Sequence, residues 1–324
     1  MPTTRRTVLT RLLLLGVALT ISGSVLAEDK RLAYIVSDLR IPFWDILRRG
    51  VTHQAEQLGY RLEVYSAENS AKREVEFVTR AIRDRVDGII LSPTHSSAAV
   101  TLLKLAGKAG IPVVIADIGT DGGPHVSTIV SDNRKGAYQL GRILGQALKA
   151  RGWQKGSVGI IAIPQKRANG KARTAGFMQA LQEAGIRGAD LRQQVSFSYQ
   201  ETYDFTRALI AKHPDLRALW LQGSDRYQAA LDAIAHAART DQILLICFDA
   251  EPEFIDMIEQ GRLVGAGMQQ PFLMGETAVQ SLDTHLKGGR VARHQSLPVL
   301  AVSRDNLKAL LPTIRRNVLG LEVK

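Results

Sequence analysis

The feature that most constrains this chain is an alternation, run through twice, of short apolar segments with longer stretches of helical period. "RLAYIVS" (31–37) precedes a helical pattern from Phe43 to Leu58, "RLEVYSA" one from Ala71 to Arg85, and "GIILSP" one from Ser97 to Ala109, before "IPVVIAD" (111–117). The pattern restarts at "SVGIIAI" (157–163) and continues through "ALWLQG" (218–223), "ILLICFD" (243–249) and "LVGAGM" (263–268). Helical stretches near 174–184, 203–212, 226–238 and 253–260 separate these segments. Runs that are apolar at every position suit strands covered on both faces, as in a parallel sheet, and not strands with one wet face. The expected fold is α/β, with two doubly wound lobes.

Between the halves lie a loop, "IGTDGGPHV" (118–126), and a short strand, "TIVSDN" (128–133); after "GMQQP" come a long helix, Phe272 to Lys287, and the apolar "LPVLAV". These segments are read as three crossovers, near Ser131, Gln269 and Leu300. The predicted lobes are therefore 28–131 with 270–300, and 132–269 with 301–324. Past Asn306, "LKALLPTIRRNVLGLEVK" places Leu307, Leu310, Leu311 and Ile314 at helical spacing. A helix packed on one lobe and a docking element both fit that tail.

Residues 1–27 read as a cleavable secretion signal, with Arg5, Arg6 and Arg11 ahead of the apolar run Leu12 to Leu19 and a small-residue site at Val25-Leu26-Ala27. The run is shorter than the roughly 20 residues that cross a bilayer. Sec export and, given "TRRTVLT", twin-arginine export both remain open. The mature chain is expected to be exported. No cysteine stands at the junction to carry a lipid, and Cys247, the sole cysteine of the chain, lies inside an apolar run as a small core residue.

The net charge of +11 becomes +8 without the signal, whose three arginines are balanced by no acid. Lys and Arg are spread along the chain without a stripe or interleaved aromatics, which argues against nucleic acid. Nothing matches GxSxG, HExxH, a Walker loop or a dinucleotide GxGxxG, and the seven histidines lack metal-ligand spacing. No catalytic residue, cofactor or metal is expected, and the chain is not read as an enzyme.

In open α/β sheets ligands gather at the carboxyl ends of strands. Those positions hold Asp38, Pro42-Phe43-Trp44, Ser92 to Ser96, Asp117, Ser224, Asp225, Asp249 and Gln269. Singly, each also fits a helix cap, a turn or the core. Together they outline a binding cleft.

The ordered motifs "V-S-x-L-x-x-P-F-W", "IVSDN", "ARTAGF", "HPDLRALW", "FDAEPE" and "GMQQP", over about residues 31 to 302, resemble the type I periplasmic solute-binding proteins of the ribose and galactose group. The resemblance implies a location in the periplasm and two Rossmann-like lobes that close on a small ligand, most simply a monosaccharide or polyol, and present it to the permease of an ABC importer. A ligand-sensing partner of a membrane sensor kinase, taking a non-sugar or cationic molecule, is the alternative; a monomer is expected in either case. By the same resemblance Phe43, Trp44 and Phe197 flank the sugar ring, Arg173 donates to it, and Asp117, Asp249 and Gln269 bind its hydroxyls. Apolar C–H faces suit aromatic rings, and charge-assisted bonds fix orientation. Asn133, with Asp132, falls at the first crossover as a hinge or cap residue. Ile41 and Ile118 stand where the ribose-type pattern has an amide and an arginine, and an asparagine is missing near Gly223, which argues against ribose itself.

Overall fold

The computed structural model describes residues 30–321; the predicted signal lies outside them. The first half of the chain runs β1 (Arg31–Val36), α1 (Pro42–Gln57), β2 (Arg61–Ser66), α2 (Ala71–Arg83), β3 (Gly88–Ser92), α3 (Ser96–Lys108), β4 (Val113–Ala116) and β5 (Ser127–Ser131). The second runs α4 (Asn133–Ala150), β6 (Ser157–Ala162), α5 (Ala168–Glu183), β7 (Arg187–Gln193), α6 (Tyr199–Lys212), β8 (Leu216–Leu221), α7 (Tyr227–His236), β9 (Leu244–Phe248), α8 (Phe254–Glu259) and β10 (Gly265–Met268). The chain ends with α9 (Pro271–Leu286), β11 (His294–Leu297), β12 (Leu300–Ser303), α10 (Leu307–Thr313) and a π-helical turn, Ile314–Val318.

These strands build two six-stranded sheets, ordered β2-β1-β3-β4-β5-β11 and β7-β6-β8-β9-β10-β12. The two orders are equivalent strand for strand, so the fold is one doubly wound α/β unit used twice. β3 and β4 are buried at every position, as the unbroken apolar runs require. Only β12 runs antiparallel, against β10. The apolar "LPVLAV" divides at Pro298 and Val299: β11 pairs in parallel with β5 of the first sheet, and β12 joins the second. Two elements escape the sequence pattern. The small residues Gly136, Ala137, Gly141 and Gly145 on the buried face of α4 dilute its helical period, and β7 is a half-exposed edge strand rich in charge.

Each lobe is bound by one close helix crossing. A Cβ on Gly50 of α1 would lie 2.1 Å from the Phe272 carbonyl oxygen of α9, and one on Gly275 would lie 2.4 Å from that of Leu47. In the other lobe, a Cβ on Gly176 of α5 would lie 2.0 Å from the Arg134 carbonyl oxygen of α4. Glycine lets these backbones touch, and the apolar side chains around them close the core.

The C-terminal tail joins both lobes. Leu307, Ile314, Val318 and Leu319 are buried in the core of the second sheet with Phe254 and Ile258. From there Arg316 donates to both oxygens of Glu276 on α9 (2.8 and 2.9 Å), and Asn317 donates to Gln270 (2.9 Å). Arg49 of α1 in turn donates to the carbonyls of Leu319 (2.8 Å) and Gly320 (3.1 Å). The tail is therefore more than a helix on one lobe: it also grips two helices of the other.

Gly176→Ala is expected to destabilise the protein by about 1–3 kcal/mol through overpacking against a backbone that has no side chain to rotate away. Urea unfolding measures it, and a midpoint equal to wild type would show that the crossing tolerates a methyl group.

Candidate functional site

The two sheets turn the carboxyl ends of β1, β4, β6, β8 and β9 toward one another around a narrow cavity of about 40 Å³. Its lining includes Ile41, Phe43, Trp44, Asp117, Arg173, Phe197, Asp225, Asp249 and Gln269, nine of the residues singled out from sequence. Ile163, Arg167, Asn169 and Gly223 complete it.

Pro42 opens α1 at its first helical position, with Ile41 as the N-cap. A fixed φ suits Pro to that position, where its missing N–H costs nothing. The first turn then carries Phe43 and Trp44, whose rings meet edge to face at 4.9 Å and 85°. Trp44 is nearly buried in the core of the first lobe while Phe43 remains partly open.

Asp117 and Asp249 occupy equivalent places in the two lobes. Each follows the fourth strand of its sheet, and each donates its backbone N–H to the next strand, Asp117 to Ile129 and Asp249 to Gly267, both at 2.9 Å. Both bend into the left-handed region, with φ of 73° and 67°. Phe197, opposite them, has φ of 53°. Such backbone costs about 1–3 kcal/mol when surroundings must enforce it, least for Asp and more for a bulky residue. For Phe197 the enforcement is visible. Glu201, in the first turn of α6, accepts from the N–H of Val195 (2.8 Å), Ser196 (3.1 Å) and Phe197 (2.9 Å), and Arg226 donates to the Phe197 carbonyl at 2.7 Å.

Arg173 is almost wholly buried and lies over the ring of Phe248 at 3.9 Å. Its Nε donates to Asn133 Oδ1 (2.7 Å), while Nη1 donates to the Gln222 carbonyl (2.6 Å) and to Asp249 Oδ2 (3.4 Å). Gln269 donates to the other oxygen of Asp249 at 2.5 Å. Asp117 Oδ2 accepts from Asn169 across the cleft at 3.0 Å. Three buried acceptors of this lining have no hydrogen bond: Asp117 Oδ1, Asp225 Oδ2 and Gln269 Oε1. Asp225 Oδ2 has Arg226 Nη1 at 3.4 Å as an ion pair only.

Burial without partners raises the carboxyl pKa values. Asp117 and Asp225 are each pushed up to about 6, chiefly by loss of water, with nearby arginines opposing the shift. Asp249 is raised by the same cause, and Arg173 and Gln269 pull it back. Desolvation lowers Arg167 to about 10, because the charged guanidinium is the costly form there.

Asp38, Ile118, Asn133 and Ser224 fall outside the lining, as do Pro42, Asp132 and the strand-end residues 92–96. Asp38 is consumed by Arg40 (2.8 and 2.7 Å) and by the Asn69 amide (2.8 Å). Ser224 donates to the buried Glu251 at 2.8 Å. Ile118 is core, 1% exposed, and Asn133 meets the site only through Arg173. Ile118 and Asn133 instead line a larger adjoining cavity of about 670 Å³ that shares Asp117 and Asn169 with the small one. Arg167 and Asn169 escaped the sequence reading because they precede and open a helix whose motif, "ARTAGF", draws attention only from Ala172 onward. Their place in "IPQKRAN", just after a strand, was the available signal.

The chain belongs to the family described as periplasmic binding protein domain, which matches residues 32–290. It is 30% identical, over 88% of this chain and 94% of the relative, to the ribose import binding protein RbsB of Haemophilus influenzae. It is 29% identical, over 84% and 90%, to that of Escherichia coli. Among solved structures, an ABC transporter periplasmic solute binding protein from Actinobacillus succinogenes with bound D-allose superposes with a TM-score of 0.80 at 22% identity, covering 87% of this chain and all of that one. A carbohydrate transporter solute binding protein from Agrobacterium radiobacter with D-arabinose gives 0.82 at 21%, covering 90% and 99%. At those identities the structures establish the shared two-lobed fold.

The raised Asp117 makes a stability prediction with a definite sign. Between about pH 4 and 6 the folded protein holds a proton that the unfolded chain has released, so stability falls as pH rises through that window and the penalty is complete above it. Asp117→Asn, whose amide also tolerates the left-handed backbone, is expected to gain on the order of 2 kcal/mol at pH 7, a gain that shrinks toward pH 4. Urea unfolding at the two pH values measures this; a gain independent of pH would mean that the charge is not its source.

Proposed function

We propose that the cleft binds one monosaccharide or related polyol, and that the protein is the periplasmic receptor of an ABC importer. The observation that carries this reading is the gathering of three unbonded buried acceptors, on Asp117, Asp225 and Gln269, with three aromatic rings between two lobes. Buried acceptors left alone are costly, and a ligand that brings several hydroxyl donors removes that cost. Phe43, Trp44 and Phe197 supply flat apolar surface for the C–H faces of a sugar ring. Arg173 would donate to the ligand, and Asp249, already bonded on both oxygens, would accept from it and hold Arg173 in place.

Ile41 and Ile163 put aliphatic surface in the same lining. We infer a ligand with one sparsely hydroxylated edge, which sets this cleft apart from one built for ribose. The relatives' names support import as the role, and a sensor kinase with a cationic ligand has less behind it. Binding and release, with no turnover, is the chemistry proposed. The lobes divide, in this reading, at 131/132, 269/270 and 299/300, the last one residue earlier than expected from sequence because Leu300 opens β12 and pairs with Met268 of β10; the membership of β5, β10, β11 and β12 in their sheets supports this division. Export by a cleavable signal over residues 1–27, and action as a monomer, complete the proposal.

Titration of the mature protein with neutral pentoses, hexoses and deoxysugars, followed by calorimetry and tryptophan fluorescence, tests the reading. At least one sugar should bind at micromolar concentration or tighter, with Trp44 reporting occupancy. Arg173→Ala and Asp249→Ala should each weaken that binding by about 1–3 kcal/mol, since either leaves a buried partner unpaired. Wild-type affinity in both variants would put the site elsewhere.

A further inference from the structure

The loop after β6 and the first turn of α5 reach across the cleft. Arg167, the N-cap of α5 in the second lobe, is 5% exposed. Its Nε donates to the Thr94 carbonyl (3.1 Å) and its Nη2 to Asn69 Oδ1 (3.2 Å), both in loops of the first lobe. The neighbouring Ala168 N–H donates to Ser96 Oγ at 3.4 Å, and Asn169 donates to Asp117 at 3.0 Å. Away from the C-terminal tail and the crossovers, these four are the hydrogen bonds that join the lobes among the described residues.

The receiving side is built to hold still. The buried Glu74 of α2 accepts from the Thr94 N–H (2.6 Å) and Thr94 Oγ1 (2.9 Å), which fixes the carbonyl that Arg167 meets. Asn69, in left-handed backbone with φ of 60°, donates its amide to Asp38 at 2.8 Å and so aims its oxygen at Arg167. On its own side Arg167 lies 5.7 Å from the ring centre of Phe197, within cation–π reach.

We propose that Arg167 is an inter-lobe latch, a positioning residue that sets ligand affinity by stabilising the closed arrangement and does so for every ligand alike. The inference rests on the binding-protein reading. Its bonds to Thr94 and Asn69 exist only when the lobes are together, so they bias the open–closed equilibrium whether or not the cleft is filled. Affinity measured from outside scales with the fraction of protein that is closed-competent. Loss of the latch therefore multiplies every dissociation constant by one factor and leaves the ligands in the same order. A residue that read the ligand would alter that order.

Two variants and two measurements test it. Small-angle scattering of the ligand-free protein should give a larger radius of gyration for Arg167→Ala than for wild type, and calorimetry should show binding weakened by roughly tenfold for each sugar that binds, with rank order kept. Asn69→Gly keeps the left-handed backbone, removes the acceptor on the opposite lobe and lies outside the cavity lining. It should shift both readouts the same way by a smaller factor, and the double variant should fall short of the summed effects. A changed rank order in Arg167→Ala, or an Asn69→Gly protein matching wild type in both readouts, would overturn the latch. If no sugar binds to wild type, the functional reading fails, while the ligand-free scattering of both variants still judges the latch.

Discussion

A strand covered on both faces can offer a polar side chain only at its ends, and the rest of this molecule depends on that limit. β3 and β4 are buried at every position, and so is β6 in the second lobe, so the sheets themselves can bind nothing polar. Chemistry is displaced to the strand tips. Because strand order reverses at β1 and β3 in one lobe and at β6 and β8 in the other, the loops there diverge and leave room. The lining residues Ile41, Phe43, Ile163, Arg167, Gly223 and Asp225 come from those loops and the helix starts that follow them. Asp117 and Asp249 come from the equivalent fourth strands, bent by left-handed backbone.

Desolvation gives the site its energetics. Acids and arginines share a space from which water is nearly excluded, and the acids rise toward neutrality because too few donors reach them. In a purely structural cluster, partners would be complete. Here Asp249 has a partner on each oxygen, Arg173 and Gln269, whereas Asp117 and Asp225 each keep one oxygen unbonded. The partnered carboxylate orients an arginine, and the other two each keep an oxygen free to accept. In the proposed reading the same group lowers stability when the cleft is empty and contributes affinity when it is filled, which is the trade expected at a functional site.

The fold was legible because its signals are local. Unbroken apolar runs such as "GIILS" and "VVIA" can only be doubly covered strands, and their alternation with helices leaves few topologies. β7 was not legible, since an edge strand with charges at Arg187, Asp190 and Arg192 has no core pattern to show. α4 was hidden by the glycines that let it touch α5. At the site, strand-tip position located Asp117, Asp225 and Asp249, but it could not tell them from Asp38, whose carboxylate is taken by Arg40 and Asn69 in three dimensions. Position also failed for Arg167, because its importance lies in what the other lobe places opposite it.

That dependence on the opposite lobe lets bonds between the lobes set affinity alongside the contacts made to the ligand. A ligand that contacts both lobes shifts them together only by its extra affinity for the closed state, so any protein bond formed on closing adds to the same balance. Two sets of bonds between the lobes flank the cleft-bearing elements: the α5 start against Thr94, Ser96 and Asn69, and the C-terminal tail against α1 and α9. α1 links the cleft to the tail. Its first turn carries Phe43 and Trp44, and Arg49, about 9 Å further along at 1.5 Å per residue, holds the tail carbonyls. A helix is stiff over that distance, so the tail fixes the platform on which the rings stand, and the tail lies beyond the family's matched span. Affinity is therefore adjustable here at residues that no inventory of ligand contacts would include.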